Sequence, residues 1–167
     1  LLALALPTPA AAPQAQPAFD EFFLDKALRI DLFQSGDARE ERVTIHRIYE
    51  EGIWPESRTG LIPPFDQGRY VLKVYDAASN RLVFLRGFDT MYAEYKTTSP
   101  ALAGDVRVFE RSVRIPLPKR PVLFVVEKRD KRNLLHPVFD RIIDPSDYHI
   151  VREKPASGDA VFEFQVK

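Results

Sequence analysis

Apolar and polar side chains alternate over short stretches from residue 19 onward, which is the spacing typical of strands with one buried face. Val122–Val126 is instead a continuous apolar run and predicts a strand buried on both faces. The alternating stretches lie at residues 28–33, 43–49, 70–75, 82–88, 106–115, 148–152 and 161–166. Together these stretches predict an all-β fold, a β-sandwich of about seven to eight mostly antiparallel strands with little helix.

Turn residues and weak helical patterns lie between these strands. Asp76-Ala77-Ala78-Ser79-Asn80 joins two of them in the clearest predicted hairpin. Residues 34–37 are expected to form another turn, and the proline-rich residues 54–67 an ordered long loop. Short helices are predicted at residues 90–96, with Thr90 as N-cap, and at 134–142, where Pro137 would break the helix.

The composition excludes several classes of function. The chain has 24 basic and 24 acidic side chains, so its formal net charge is zero and no nucleic-acid footprint is indicated. It has no cysteine, which rules out disulfides, thiolate metal sites and thiol nucleophiles. Its three histidines are not in metal-ligand spacing, and the nucleophile-elbow and phosphate-loop motifs are missing. We therefore predict no catalytic residue, no metal site and no cofactor in this chain.

Residues 1–18 carry no charge, whereas all charged residues lie beyond them. Leu1-Leu2-Ala3-Leu4-Ala5-Leu6 is an apolar run followed by prolines and alanines, as at the end of a secretory signal peptide. The alternative is a disordered Ala/Pro leader. We expect residues 1–18 to be a truncated signal peptide and residues 19–167 the β-sandwich domain of a secreted or periplasmic protein. The apolar run is too short to span a membrane.

Two sets of side chains are candidates for binding. Basic residues outnumber acidic ones over residues 107–132, but arginines and lysines on strands usually form the solvated face of a sheet, and that interpretation is favoured. Aromatic rings near irregular segments could contact a sugar or a protein partner, but the favoured interpretation is that they close the ends of the sandwich. The candidate interaction surface consists of Trp54, Phe88, Tyr92, Glu94 and Tyr95.

Three segments are more distinctive than the strand pattern requires. They are Arg86-Gly87-Phe88-Asp89-Thr90-Met91-Tyr92-Ala93-Glu94-Tyr95-Lys96-Thr97-Thr98, Ile115-Pro116-Leu117-Pro118-Lys119 and Ile143-Asp144-Pro145. In this order they resemble the N-terminal domain of the IgA-peptidase family of zinc metallopeptidases, over about residues 19–145. Tyr95 stands where that family usually has Trp.

The resemblance implies a non-catalytic accessory domain of a secreted peptidase. In that family zinc is bound by an H-E-x-x-H motif in a following catalytic domain, and this chain has no such motif. The expected partners are that downstream catalytic domain in cis and its protein or glycan substrate, with no nucleic acid and no membrane span. The alternative is a free-standing secreted module that binds glycan or protein through Trp54, Tyr92 and Tyr95.

Overall fold

Two four-stranded sheets form the fold in the computed structural model, which describes residues 16–65 and 67–152. The strands are β1 (Phe23–Gly36), β2 (Glu41–Glu50), β3 (Tyr70–Asp76), β4 (Leu82–Phe88), β5 (Arg107–Pro118), β6 (Val122–Arg129), β7 (Leu135–Ile143) and β8 (Val151–Arg152). The helices are α1 (Phe19–Phe22), α2 (Met91–Tyr95) and α3 (Ser99–Ala103). None of these helices has the length needed to cross a membrane.

The strands pair in the order β5-β1-β2-β8 in sheet I and β4-β3-β6-β7 in sheet II. Every pair is antiparallel except β2 with β8, which is parallel. The predicted all-β sandwich with little helix is confirmed, and so is the hairpin formed by β3 and β4.

One apolar core lies between the two sheets. Sheet I contributes Leu28, Ile30 and Leu32, which alternate along β1 with outward-facing residues because successive strand side chains point to opposite faces. Sheet II contributes Leu72 of β3 and Phe124 of β6. Each such side chain stabilises the fold by about 1.5–3 kcal/mol when it leaves water, so this core holds the sheets together.

The continuous apolar run in β6 is also confirmed as an inner strand. It pairs with β3 on one side and β7 on the other. Phe124 and Val126 belong to the core between the sheets, while Val125 points to the opposite face and is still buried.

The predicted helix at residues 134–142 is wrong, because this segment is the strand β7. Pro137 has no N–H to donate, which excludes it from the middle of a sheet but not from an outer strand. β7 is such a strand, and its pairing with β6 shifts register between Val126 and Glu127, beside Pro137. The proline that suggested a broken helix is therefore accommodated at a bulge in an edge strand.

Several strand ends differ from the prediction. β1 continues to Gly36, through part of the predicted turn, and β5 continues through Pro116 to Pro118 because it is the outer strand of sheet I. Only Val151 and Arg152 of the predicted strand 148–152 are paired. The sequence pattern predicts neither α1 nor α3. The predicted strand 161–166 and most of the predicted leader lie outside the described residues.

The predicted long loop at residues 54–67 packs against the outer strand β4. The backbone N–H of Leu85 donates to the carbonyl of Leu61 at 2.9 Å. A Cβ atom on Gly87 would lie 1.4 Å from the carbonyl oxygen of Gln67. The loop thus covers a strand edge that would otherwise be open to pairing with another chain, and only glycine at position 87 allows this close approach.

We expect Gly87→Ala to lower the free energy of unfolding by about 1–3 kcal/mol, because the new methyl group would displace the loop backbone. Denaturant unfolding followed by circular dichroism measures the loss. The matched control is Gly52→Ala, since a Cβ atom there has no heavy atom within 4 Å. Equal stability of the two variants would contradict the proposed contact.

Candidate functional site

The distinctive segment at residues 86–98 contains the end of β4 and the helix α2. At its start, the Arg86 guanidinium forms a two-point ion pair with the Glu56 carboxylate and lies 5.9 Å from the ring centre of Trp54. The Trp54 ring packs edge-on against Phe84, and its indole N–H donates to the carbonyl of Ser57 at 3.2 Å. Trp54 is only 4% exposed. These contacts fasten the long loop to sheet II.

The next aromatic residue, Phe88, lies at the end of β4. Its ring stacks on that of Tyr70 with 5.6 Å between centres, and the Arg111 guanidinium lies 5.8 Å from its centre. Phe88 is therefore held between sheet II and an arginine of sheet I, and it is partly exposed.

The helix α2 turns two tyrosines inward. The Thr90 hydroxyl accepts a hydrogen bond from the backbone N–H of Ala93 at 3.2 Å, so the predicted N-cap is confirmed. The Tyr92 hydroxyl lies 2.8 and 2.7 Å from the carbonyl oxygens of Asp37 and Glu40 in the β1–β2 turn. Burial is the main cause that raises the pKa of Tyr92 to about 12. The tyrosine hydroxyl therefore acts as a donor that holds the turn.

Tyr95 lies on the other side of the same small cluster. Its hydroxyl donates to the carbonyl of Asp105 at 2.7 Å, and its ring centre lies 5.3 Å from that of Phe109. The Tyr92 ring meets Phe109 edge-on at 6.2 Å. The two tyrosines thus connect α2 to β5 and to the segment that follows α3.

Three of the four candidate rings are buried. Tyr92 is 0% and Tyr95 is 6% exposed, and Trp54 is also buried, because each ring carries a polar atom that reaches a backbone carbonyl. These rings close parts of the sandwich, which is the interpretation that the sequence favours, and the candidate interaction surface stays a prediction. Of the five candidates only Glu94 is exposed, and it lines a cleft of about 420 Å³ with Arg69.

Three of the basic residues of 107–132 have partners within the fold. Arg107 lies over the ring of Tyr95, with 5.0 Å between the guanidinium carbon and the ring centre. Arg120 forms an ion pair with the buried Asp76 carboxylate, and Lys128 extends to Glu41. These basic side chains thus have separate local roles in the fold.

A buried carboxylate that the sequence does not single out lies at the start of β2. The Glu41 side chain accepts hydrogen bonds from Gln34 and from the Tyr70 hydroxyl, both at 2.8 Å, and from the Lys128 ammonium group. The Lys96 ammonium group lies 3.8 Å away. We call these five side chains the Glu41 cluster. It joins both sheets and the residue after α2.

The electrostatics of the Glu41 cluster follow from burial and close pairing. Burial raises the pKa of the Glu41 carboxyl, but the hydrogen bonds from Lys128, Tyr70 and Gln34 outweigh it, so the net pKa lies below its ordinary value. Burial and the adjacent carboxylate raise the pKa of Tyr70. Burial, followed by the neighbouring charge of Lys128, lowers the pKa of Lys96 to about 8. Such shifts occur at active sites and in structural ion-pair networks alike.

Polar side chains also form an ordered array on the face of sheet I that points away from sheet II. The Glu51 carboxylate bridges Arg29 of β1 and Arg114 of β5, at 2.8 and 2.7 Å. The buried Asp31 carboxylate accepts hydrogen bonds from Arg29 at 3.2 Å and from the Ser112 hydroxyl at 2.6 Å. We call this surface the outer face of sheet I. It carries pre-positioned charges on inner and outer strands alike.

We expect Tyr92→Phe to lower the free energy of unfolding by about 1–2 kcal/mol, because the variant loses the hydroxyl that binds the β1–β2 turn. Denaturant unfolding measures the effect. Tyr148→Phe is the matched control: this side chain is 83% exposed, and its loss of a hydroxyl should change stability by less than about 0.5 kcal/mol. A Tyr92→Phe variant as stable as this control would show that the turn does not depend on the bond.

The lowered pKa of Lys96 predicts a pH dependence of stability. Between pH about 8 and 10.5 the unfolded chain holds more protons at this lysine than the folded chain, so its contribution to the free energy of unfolding rises with pH. Lys96→Met should remove that pH-dependent contribution. The control Lys131→Met, in an exposed turn, should keep the pH dependence of the wild type. Unfolding curves measured across this pH range test the difference. A wild-type minus Lys96→Met difference that stays constant would contradict the prediction.

The comparison with known families agrees with this architecture. The sequence model of the family described as Peptidase M64 N-terminus matches residues 18–140, from the start of α1 into β7. No curated protein matches the chain. The matched family is an N-terminal domain and not a catalytic one. The resemblance to the N-terminal domain of the IgA-peptidase family is thereby confirmed, and the chain belongs to the Peptidase M64 N-terminus family.

Proposed function

We propose that this chain is the non-catalytic accessory domain of a secreted zinc metallopeptidase, and that it packs on or orients a downstream catalytic domain and its substrate. The observation that carries the proposal is the family match over residues 18–140. The uncharged residues 1–18 support export, to the periplasm or the exterior.

The zinc ion of the proposed peptidase is assigned to the catalytic domain. Among residues 16–65 and 67–152, no three His, Asp or Glu side chains lie together in a group that could hold a metal ion. The described residues therefore do not fit a zinc site, and no step of hydrolysis is assigned to them. Their role in the proposal is to bind and orient.

The outer face of sheet I is the surface that we assign to docking of the catalytic domain. Arginine and tyrosine are enriched at the energetic centres of protein interfaces, and here the Arg29 guanidinium lies 4.1 Å from the ring centre of Tyr49. Glu51 and Asp31 already hold Arg29 in place. A pre-ordered side chain loses less conformational entropy when a partner binds.

The alternative of a free-standing glycan- or protein-binding module has less support. It depends on Trp54, Tyr92 and Tyr95 as exposed stacking rings, and these rings are buried.

The test begins with the gene. We expect the reading frame beyond Lys167 to encode an H-E-x-x-H domain, and the purified complete product to contain zinc and to cleave protein substrates. A stop codon directly after Lys167, or a downstream domain without that motif, would contradict the proposed function.

Side-chain footprinting with hydroxyl radicals tests the docking surface separately. In the complete product Phe33 and Tyr49, on the outer face of sheet I, should react more slowly than in the 167-residue chain. The exposed Tyr148 provides the control and should react equally in both. Protection of Tyr148 with no change at Phe33 and Tyr49 would place the interface elsewhere.

A further inference from the structure

One side of the sandwich has an open strand edge. β2 pairs with β8 only at Tyr49 and Glu50. Between Glu41 and Ile48, no strand of residues 16–65 and 67–152 pairs with the side of β2 that faces away from β1. Alternate residues of an unpaired edge direct backbone N–H and C=O groups outward, where a further strand can bind them.

A cleft of about 360 Å³ lies beside this edge, between β2 and the outer strand β7 of the other sheet. Ile45, Ile48 and Ile150 form its apolar part, while Arg47 of β2 and Arg141 of β7 contribute two positive charges. The cleft therefore combines an apolar floor with basic groups from both sheets, next to unpaired backbone.

A β-bulge at His46 places an additional residue of β2 at this cleft. Asp31 of β1 pairs with Arg47, and the next residue, Leu32, pairs with Ile45, so His46 is the additional residue. The His46 ring stacks on Phe33 with 4.4 Å between centres. Stacking fixes the imidazole, and Arg47 lines the cleft beside it.

The positive charge of the cleft is only partly offset within the site. Asp147 is its one acidic residue, and its carboxylate accepts hydrogen bonds from the backbone N–H and from the ring of His149, both at 2.9 Å. The hydrogen bonds from His149, and to a smaller extent the charge of Arg141, lower the pKa of the Asp147 carboxyl, and the His46 ring lies 3.6 Å from the Glu110 carboxylate. Arg141 forms no hydrogen bond with a described residue. Arg47 forms only a long one, 3.4 Å to the Tyr49 hydroxyl. Both guanidinium groups can therefore bind an added carboxylate, for which their planar forks are suited.

We propose that this edge binds an extended acidic peptide segment, which adds as a strand to β2 and directs carboxylates to Arg47 and Arg141. Backbone hydrogen bonds to the open edge supply affinity, and the basic groups supply selectivity. The same arginines repel a second copy of this edge, so the domain avoids pairing with itself. Because the site lies wholly within this domain, the proposal does not depend on a catalytic domain.

Fluorescence anisotropy with two labelled hexapeptides tests the proposal on the 167-residue chain. The probes are acetyl-Val-Glu-Val-Glu-Val-Glu-amide and the same peptide with lysine in place of glutamate. We expect the acidic peptide to bind and the basic one not to bind. Arg47→Glu and Arg141→Glu should each weaken the binding of the acidic peptide by about tenfold or more, since each variant loses a charge-assisted hydrogen bond to a carboxylate.

Arg132→Glu makes the same change in net charge in the exposed β6–β7 turn and should leave binding unchanged. Thermal unfolding shows whether each variant is folded. If Arg47→Glu or Arg141→Glu is not folded, the neutral variant Arg47→Gln or Arg141→Gln is used for the binding measurement instead. Equal binding of the acidic and basic peptides, or equal weakening by Arg132→Glu, would overturn the proposed site.

A third probe separates strand addition from simple charge attraction. The acidic peptide with alternate backbone nitrogens methylated keeps its carboxylates but loses half of its N–H donors. We expect at least one of the two alternating methylation patterns to bind about tenfold more weakly or worse. Undiminished binding of both methylated peptides would contradict addition to the β2 edge.

Discussion

The hydrogen bonds to the Glu41 carboxylate are the interactions on which the alignment of the two sheets near α2 depends. This carboxylate lies at the first residue of β2 in sheet I, and it accepts hydrogen bonds from Tyr70 of β3 and Lys128 of β6 in sheet II. Apolar packing between sheets is not directional, whereas these bonds specify which residues of the two sheets face one another. A buried charge is costly without its partners, and removal of one partner from such a pair is strongly destabilising. The cluster thus selects one alignment of the sheets and holds Lys96, and with it α2, in place.

The position of α2 explains in turn why the aromatic rings are buried. β1 and β5 have 14 and 12 residues, whereas β3 and β4 have seven each, so the strands of sheet I extend beyond sheet II. The helices α2 and α3 cover this extension through Tyr92, Tyr95 and Ala101, which form a second small core with Phe109. Gly36 fits the same arrangement: it has a φ of 145°, and a Cβ atom there would lie 2.7 Å from the Tyr92 hydroxyl. The two helices therefore cover the part of the longer strands that sheet II does not reach.

The sequence predicts those features that depend on local pattern. The β3–β4 hairpin, the inner strand β6 and the Thr90 cap follow from alternation, an apolar run and a capping hydroxyl. Features that depend on distant partners are missed. Glu41 lies among the charged residues of 37–42 and has the pattern of a solvated turn, because nothing local indicates that Tyr70 and Lys128 lie nearby. The sequence does not predict β7 as a strand, because Pro137 is compatible with a strand only at an outer position and strand order is not local information.

The residues that carry the family resemblance differ from the residues of the proposed binding surfaces. The segments that carry the resemblance are used inside the domain: Gly87 receives the loop backbone, Tyr92 holds the β1–β2 turn, and the backbone N–H of Lys119 donates to the carbonyl of Phe22 at 2.8 Å. These groups stabilise the fold through contacts within the domain, so they are not available to contact a ligand. Binding must then use surfaces that the framework leaves open. The loop at residues 54–67 covers β4, whereas the outer edge of β2 and the outer face of sheet I retain polar groups that a partner can satisfy.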